Sequence, residues 1–102
     1  MSNQSIFVIS DIHGCINELE ELIGKLPLDE KSLLIFLGDY IDRGEYSKQV
    51  VDYIIELKKE HQVVTLIGNH EDMFLSFLEH PTSKKSITFL YNGGGATLAS
   101  YG

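Results

Sequence analysis

The chain has 102 residues, of which 43% are hydrophobic, so it has room for one hydrophobic core and no second domain. Asp and Glu number 15 against 8 Lys and Arg, and the net charge of −7 argues against a protein that binds nucleic acid through its phosphates. The single cysteine excludes an intrachain disulfide, and no apolar run is long enough to span a bilayer, so we expect a cytoplasmic protein without a membrane partner.

The first part of the chain predicts a strand followed by a helix. Residues 6–10, "IFVIS", form a short apolar run typical of a buried strand. Ile16, Leu19 and Ile23 then recur at helical spacing before Pro27, which cannot continue a helix. The sequence therefore indicates a βα unit over residues 6–26.

The same unit occurs twice more. Residues 33–37 lead to a helix predicted from about Ser47, and residues 63–67 lead to one predicted from about His70. Three βα units favour an α/β protein with a parallel sheet, here a βαβαβα core. Strands this uniformly apolar are expected to be buried on both faces.

The remainder of the chain is less regular. Residues 82–86 are predicted as a loop, residues 87–91 as either strand or helix, and residues 92–102 open with a flexible Gly run. We therefore predict a single domain over residues 1–102, with its ordered core at about residues 6–80.

Polar side chains follow each predicted strand. The carboxyl ends of parallel strands meet at one edge of the sheet, so these side chains should converge there. Crowded carboxylates repel one another unless cations lie between them, and carboxylate, imidazole and amide groups are ligands for Mn²⁺, Fe²⁺ or Zn²⁺. The converging residues are Asp11 and His13 after the first strand, Asp39, Asp42 and Arg43 after the second, and Asn69 and His70 after the third.

Each cluster also has a purely structural interpretation. Asp11 and Asn69 could cap the helices that follow them, and Asp42 could form an exposed ion pair with Arg43. Capping does not explain His70, and three such clusters at three strand exits are hard to attribute to capping alone.

Four other polar residues are predicted to lie outside the site. Glu71 and Asp72 suit the first turn of a helix, where acidic side chains interact favourably with the helix dipole. His61 precedes its strand and His80 ends the next helix, so both are expected at the surface and away from the site.

In chain order the clusters read D-x-H, G-D-x-x-D-R-G and G-N-H-E. With these motifs, the sequence resembles the calcineurin-like metallophosphoesterases, in the branch that contains serine/threonine protein phosphatases and bacterial diadenosine tetraphosphatases. Ser10 stands where the first motif usually has Gly, and the stretch from Asn92 to Gly94 also looks like the bacterial members. The resemblance covers about residues 6–75 and implies the first half of a four-layer α/β/β/α fold.

The resemblance also implies two divalent metal ions, with Mn²⁺ preferred and Fe or Zn as alternatives. Asp11 and His13 would hold the first metal, Asp39 would bridge both metals, and Asn69 would bind the second. The two ions would generate the metal-bound hydroxide that attacks phosphorus.

The remaining motif residues are assigned to the substrate by the same resemblance. Arg43 would bind the phosphate together with Asn69, and His70 would protonate the leaving oxygen while Asp42 orients its ring. The implied reaction is phosphomonoester hydrolysis of the serine/threonine protein phosphatase type. The alternatives are a diadenosine tetraphosphate hydrolase, or an inert metal- or phosphate-binding fragment.

The inert alternative arises because family members complete the second metal with two further His residues from a second half of the fold. These 102 residues contain no such half, so we expect the N-terminal half of a longer phosphatase. The expected partners are a phosphorylated protein or a small phosphoester. The truncated chain is also predicted to self-associate through its exposed sheet.

Overall fold

A computed structural model of the protein describes residues 4–102. It confirms the predicted α/β class and the βαβαβα order. Among these residues, no helix is both long and apolar enough to traverse a lipid bilayer. The elements are β1 (Ile6–Ile9), α1 (Ile16–Lys25), β2 (Leu33–Phe36), α2 (Ser47–Glu60), β3 (Gln62–Thr65), α3 (Asn69–Glu79), α4 (Lys84–Phe89), a kinked turn (Leu90–Gly94) and α5 (Gly95–Tyr101).

The three strands form one parallel sheet in the order β1-β2-β3. Phe36 at the end of β2 pairs with Ile9 of β1 and Thr65 of β3, so the three strands end in register. The strands end one or two residues earlier than predicted, because the chain turns into the loops at that point. The consequence is the predicted one: three loops leave the sheet side by side at one edge.

One face of the sheet carries the hydrophobic core. Ile9, Leu34 and Phe36 point into this face and are buried. Leu19 of α1 and Val50 of α2 are buried in the same cluster, at positions that the helical spacing of apolar residues predicts. This packing fixes the strands beneath the polar loops.

The opposite face of the sheet is apolar and exposed. Ile6 and Val8 of β1 are 55% and 58% exposed, and Val64 of β3 is 44% exposed. Within residues 4–102, the prediction that the strands are buried on both faces is therefore wrong. The alternating side chains of each strand divide between a covered face and an uncovered one.

The chain after residue 80 is more ordered than predicted. Residues 82–86 already enter α4, and the Gly run belongs to the kinked turn and to α5, which ends at Tyr101. Phe89 is fully buried, and its ring centroid lies 5.5 Å from that of Phe74 on α3. A side chain at Gly94 would lie 2.5 Å from the Phe89 ring, so this glycine permits the close approach. The predicted loop is thus limited to residues before α4, and the predicted tail contains α5, with the aromatic contact packing this segment against α3.

Candidate active site

Backbone strain is concentrated at the strand exits. Among residues 4–102, five residues other than glycine have positive φ, and all five belong to the predicted site. Such angles are unfavourable for most side chains and tend to occur at functional sites. The five are Asp11 (55°), His13 (45°), Asp39 (57°), Asp42 (75°) and Arg43 (69°).

The first two loops are joined through their backbones. The His13 amide donates to the Asp39 carbonyl at 3.0 Å, and the Gly44 amide donates to the His13 carbonyl at 2.9 Å. A Cβ atom at Gly44 would lie only 2.2 Å from that His13 oxygen, so only glycine permits this approach. The two loops therefore form one rigid unit.

A cluster of metal-ligating groups lies on this unit. One ligand atom from each of Asp11, His13 and Asp39 lies within 4.8 Å of the others. The His13 Nδ1 lies 2.8 Å from the Ile41 carbonyl oxygen, which can only accept, so Nδ1 carries the proton and Nε2 keeps its lone pair. Nε2 lies 3.8 Å from Asp11 Oδ1. These three donors fit one divalent cation, and the carbonyl bond orients the imidazole as metal sites require.

Two structural explanations for the motif residues do not apply. Helix α1 begins at Ile16, with Cys15 as its N-cap residue, so Asp11 does not cap it. The N-cap residue of α3 is Gly68, and the exposed Asn69 lines the same cleft as Asp11. Asn69 is thus brought to the site, and its role as a ligand stays a prediction.

Glu71 has a larger role than the sequence indicated. Its carboxylate accepts hydrogen bonds from the backbone amides of Asp39 at 2.6 Å, Gly68 at 2.9 Å and Tyr40 at 2.8 Å. This single side chain therefore connects the second loop to the third. From the sequence alone, the helix dipole explains a glutamate in the first turn of a helix. Only the position of Glu71 directly after G-N-H points to a role in the site.

A buried histidine–aspartate pair adjoins the metal cluster. His70 Nδ1 lies 2.7 Å from Asp42 Oδ2, and the two residues are 8% and 0% exposed. The ionised carboxylate accepts, so Nδ1 donates and Nε2 is left free for another partner. The ring centroids of His70 and His13 lie 4.5 Å apart. The pair therefore holds the imidazole in a fixed orientation beside the cluster, and its role as a proton donor stays a prediction.

An open cleft of about 530 Å³ connects these groups. Arg43 lines it and is exposed, and none of the ion pairs among residues 4–102 includes it. Both oxygens of Asp42 accept bonds from other side chains, so the Asp42–Arg43 ion pair that the sequence allowed is absent from this part of the chain. The guanidinium is thus available to an anion in the cleft.

The far wall of the cleft comes from the segment that was predicted as loop. Lys85 of α4 lines the cleft and forms an ion pair with Asp72 of α3. Asp72, interpreted from the sequence only as a helix N-terminal acid, therefore orients a cation at the rim. His61 and His80 are not among the residues that line the cleft.

Comparison with known proteins agrees with this geometry. The family model for the calcineurin-like phosphoesterases matches residues 5–100. The asymmetrical bis(5′-nucleosyl)-tetraphosphatase PrpE of Oceanobacillus iheyensis is 35% identical over 83 residues, which are 72% of this chain and 33% of the relative. The symmetrical bis(5′-nucleosyl)-tetraphosphatase of Buchnera aphidicola is 36% identical over 103 residues, covering 84% of this chain and 37% of the relative.

The chain thus spans about a third of the length of the curated relatives that it matches. The family match covers nearly all of it, and the three loops that carry the motifs converge as the parallel order of the strands predicts. The chain belongs to the calcineurin-like phosphoesterase family.

Proposed function

We propose that the protein is a metal-dependent phosphohydrolase that cleaves bis(5′-nucleosyl) tetraphosphates. The observation that carries the phosphohydrolase activity is the buried His70–Asp42 pair, whose ring lies beside the Asp11, His13 and Asp39 cluster. The names of the relatives favour the tetraphosphate over the phosphoprotein that was the first expectation from the sequence. The single cysteine is consistent with a cytoplasmic location.

The metal-binding residues in this proposal are those of the joined loops. Asp11, His13 and Asp39 would hold one divalent ion, with Mn²⁺ preferred, and Asp39 with Asn69 would contribute to a second. Bound divalent ions would stabilise charge on the phosphate oxygens and activate water. The protein's part is to keep the three donors together, which the contacts between the loops and the Glu71 carboxylate support.

Two cations of the chain would bind the anionic substrate. Arg43 can give two parallel hydrogen bonds to the phosphate that is attacked. Lys85 lies at the rim of the same cleft, where a second phosphate of an extended polyphosphate chain would pass. A phosphoserine side chain has one phosphate and would gain nothing from Lys85. The second cation therefore supports a polyphosphate substrate.

His70 would protonate the oxygen that leaves. The Nδ1 proton is held by Asp42, so Nε2 is the atom that delivers a proton to the leaving group. A nucleotide phosphate is a weak base, with its second pKa near 6, and needs this proton less than the alkoxide of serine does. Replacing His70 should therefore lower the rate less for a nucleotide leaving group than for the alkoxide of serine.

The experiment is a substrate panel with the full-length gene product, including any residues encoded after Gly102, in the presence of Mn²⁺. We expect kcat/KM for diadenosine tetraphosphate to exceed that for a phosphoserine peptide by at least about ten-fold, which is about 1.4 kcal/mol of transition-state binding. Preference for the phosphopeptide would restore the protein phosphatase interpretation. A protein that binds Mn²⁺ but turns over none of the substrates would support the alternative of an inert metal- or phosphate-binding protein.

A pair of lysine variants tests the second cation. Lys85→Met should raise KM for diadenosine tetraphosphate and leave KM for p-nitrophenyl phosphate unchanged, because only the first substrate reaches the rim. Lys84→Met is the matched control, since Lys84 is exposed on the same helix and is not among the residues that line the cleft. Equal effects of the two variants would contradict the role of Lys85.

A further inference from the structure

Helix α5 supplies a buried hydroxyl group behind the site. Thr97 of α5 is fully buried, as are Asp42 of the second loop and Ser47 at the start of α2. Thr97 lies 55 residues after Asp42 in the chain and belongs to none of the motifs that identify the family. Its position against the partner of His70 requires an explanation.

The hydrogen bonds around Asp42 form a closed network with one arrangement of protons. Thr97 Oγ1 lies 2.5 Å from Asp42 Oδ1, and an ionised carboxylate can only accept, so Thr97 donates its single hydroxyl proton there. Ser47 Oγ lies 3.1 Å from Thr97 Oγ1 and must therefore be the donor of that bond. The Asp42 amide donates to both hydroxyl oxygens, at 2.8 Å to Thr97 and 3.1 Å to Ser47.

This network assigns a different task to each oxygen of the Asp42 carboxylate. Oδ1 accepts from Thr97, and Oδ2 accepts from His70 Nδ1 at 2.7 Å. Rotation of the carboxylate would break both bonds, so the Thr97 hydroxyl fixes the direction in which Oδ2 points. Asp42 also has a positive φ of 75°, a conformation that persists only when surrounding contacts stabilise it. The hydrogen bonds from the Asp42 amide to the two hydroxyl oxygens are such contacts.

The turn before α5 holds the next residue of the same loop. The Arg43 amide donates to the Gly93 carbonyl at 3.0 Å. A Cβ atom at Gly93, whose φ is 97°, would lie 2.6 Å from the Arg43 amide nitrogen. The segment from Gly93 to Thr97 therefore contacts both the orienting carboxylate and the backbone of the arginine in the cleft.

We propose that Thr97 is a positioning residue for His70. It acts through Asp42, by holding the carboxylate in the rotation that keeps the proton on His70 Nδ1 and directs Nε2 into the cleft. The inference rests on the proposed function in one respect, namely that His70 donates a proton to the leaving group. The orientation of the imidazole is a separate claim that can be measured without turnover.

The test uses three substitutions at Thr97 in the full-length gene product with Mn²⁺. Thr97→Val removes the hydroxyl at constant shape, Thr97→Ala removes it without placing a methyl group against the carboxylate, and Thr97→Ser retains it. Ser100→Ala is the control, because Ser100 lies on the same helix and its hydroxyl bonds to α2 away from the site. Thermal unfolding of each variant establishes which of them are folded.

The first readout is the ¹⁵N NMR spectrum of the imidazoles at one fixed pH, recorded on the metal-free protein because paramagnetic Mn²⁺ would broaden the His70 signals, and assigned through His70→Asn. Wild type, Thr97→Ser and Ser100→Ala should show His70 protonated on Nδ1, and Thr97→Ala or Thr97→Val should show a mixture with the Nε2 tautomer. The second readout is kcat for an alkyl phosphate against p-nitrophenyl phosphate. Removing the hydroxyl should lower the first by at least about ten-fold more than the second, because only the poor leaving group needs the acid.

Each outcome distinguishes the two proposals. A folded Thr97→Ala protein with an unchanged tautomer and an unchanged kcat ratio would overturn the role of Thr97. A changed tautomer in Thr97→Ala, together with a wild-type protein that is inactive on every substrate, would leave the positioning role intact and refute the proposed function. Failure of Thr97→Ser to restore the wild-type tautomer would also overturn the inference, since packing rather than the hydroxyl would then matter.

Discussion

Replacing Glu71 by Gln should destabilise the chain and weaken metal binding together. The carboxylate accepts three backbone hydrogen bonds, from Gly68, Asp39 and Tyr40. A glutamine can direct its carbonyl oxygen to the amides of Gly68 and Asp39, but its side-chain amide group then faces the Tyr40 amide. Both of these groups are hydrogen-bond donors, so no bond forms between them. The substitution thus removes one acceptor entirely and converts the other two bonds from charged to neutral.

The expected loss follows from these contacts. Hydrogen bonds to charged groups contribute about 1.5–3 kcal/mol and neutral ones about 1 kcal/mol. Losing one bond and weakening two by about 0.5–2 kcal/mol each should therefore lower the free energy of unfolding by about 2.5–7 kcal/mol. Because the Asp39 backbone is released, we also expect the dissociation constant for Mn²⁺ to rise by about 10- to 100-fold, the range found for partners that orient metal ligands.

Urea unfolding and calorimetric titration with Mn²⁺ measure the two effects. Glu79→Gln is the matched control, because Glu79 is exposed at the far end of the same helix and its replacement should change stability by less than about 0.5 kcal/mol. If Glu71→Gln were as mild as Glu79→Gln in both measurements, the carboxylate would not be joining the loops.

Four further predictions test other parts of the molecule. Asp39→Asn should weaken Mn²⁺ binding more than Asn69→Ala in calorimetric titration, because Asp39 belongs to the three-ligand cluster, and equal losses would remove its central role. Arg43→Ala should weaken inhibition by inorganic phosphate by about 1–3 kcal/mol, and unchanged inhibition would show that the guanidinium does not meet the anion. Residues 1–102 alone should form dimers in sedimentation, and Val64→Lys on the exposed sheet face should return them to monomers; a monomeric wild-type chain would contradict this. Burial raises the pKa of Tyr40, so the folded state holds that proton more tightly than the unfolded state. The contribution of Tyr40 to the free energy of unfolding should therefore be constant below about pH 10 and fall above it, and Tyr40→Phe should reduce the fall.

Much of the fold could be predicted from the sequence because each βα unit carries its own signal. The helical spacing of Leu19, Val50 and Ile54 reports burial directly, and the structure confirms it. The apolar runs locate the strands but do not show that one face of the sheet is exposed. The segment after residue 80 gave no such signal. Its order depends on Phe89 packing against the aromatic side chains of α3, a contact that no local pattern predicts.

Some residues of the candidate site could likewise be predicted from the sequence, and others could not. His13, Arg43 and His70 could be identified because they belong to three motifs that each follow a predicted strand. Glu71, Thr97 and Lys85 could not, because each has an ordinary explanation in its own segment. Their contacts join residues that are 31 or more positions apart in two of these cases, and only the folded chain brings them together.

The left-handed backbone at the strand exits limits which amino acids can occupy these positions at all. Asp, Asn and His enter this conformation several times more readily than most other side chains, whereas β-branched residues are strained in it. Glutamate could supply the same carboxylate as Asp11 or Asp39, but it lacks this conformational tolerance and its longer side chain would displace the oxygen. Two independent requirements therefore favour Asp and His at these positions: they can bind the cation, and they tolerate the left-handed backbone. A randomised library at these five positions, selected only for folding and never for activity, should still return mainly Gly, Asn, Asp and His.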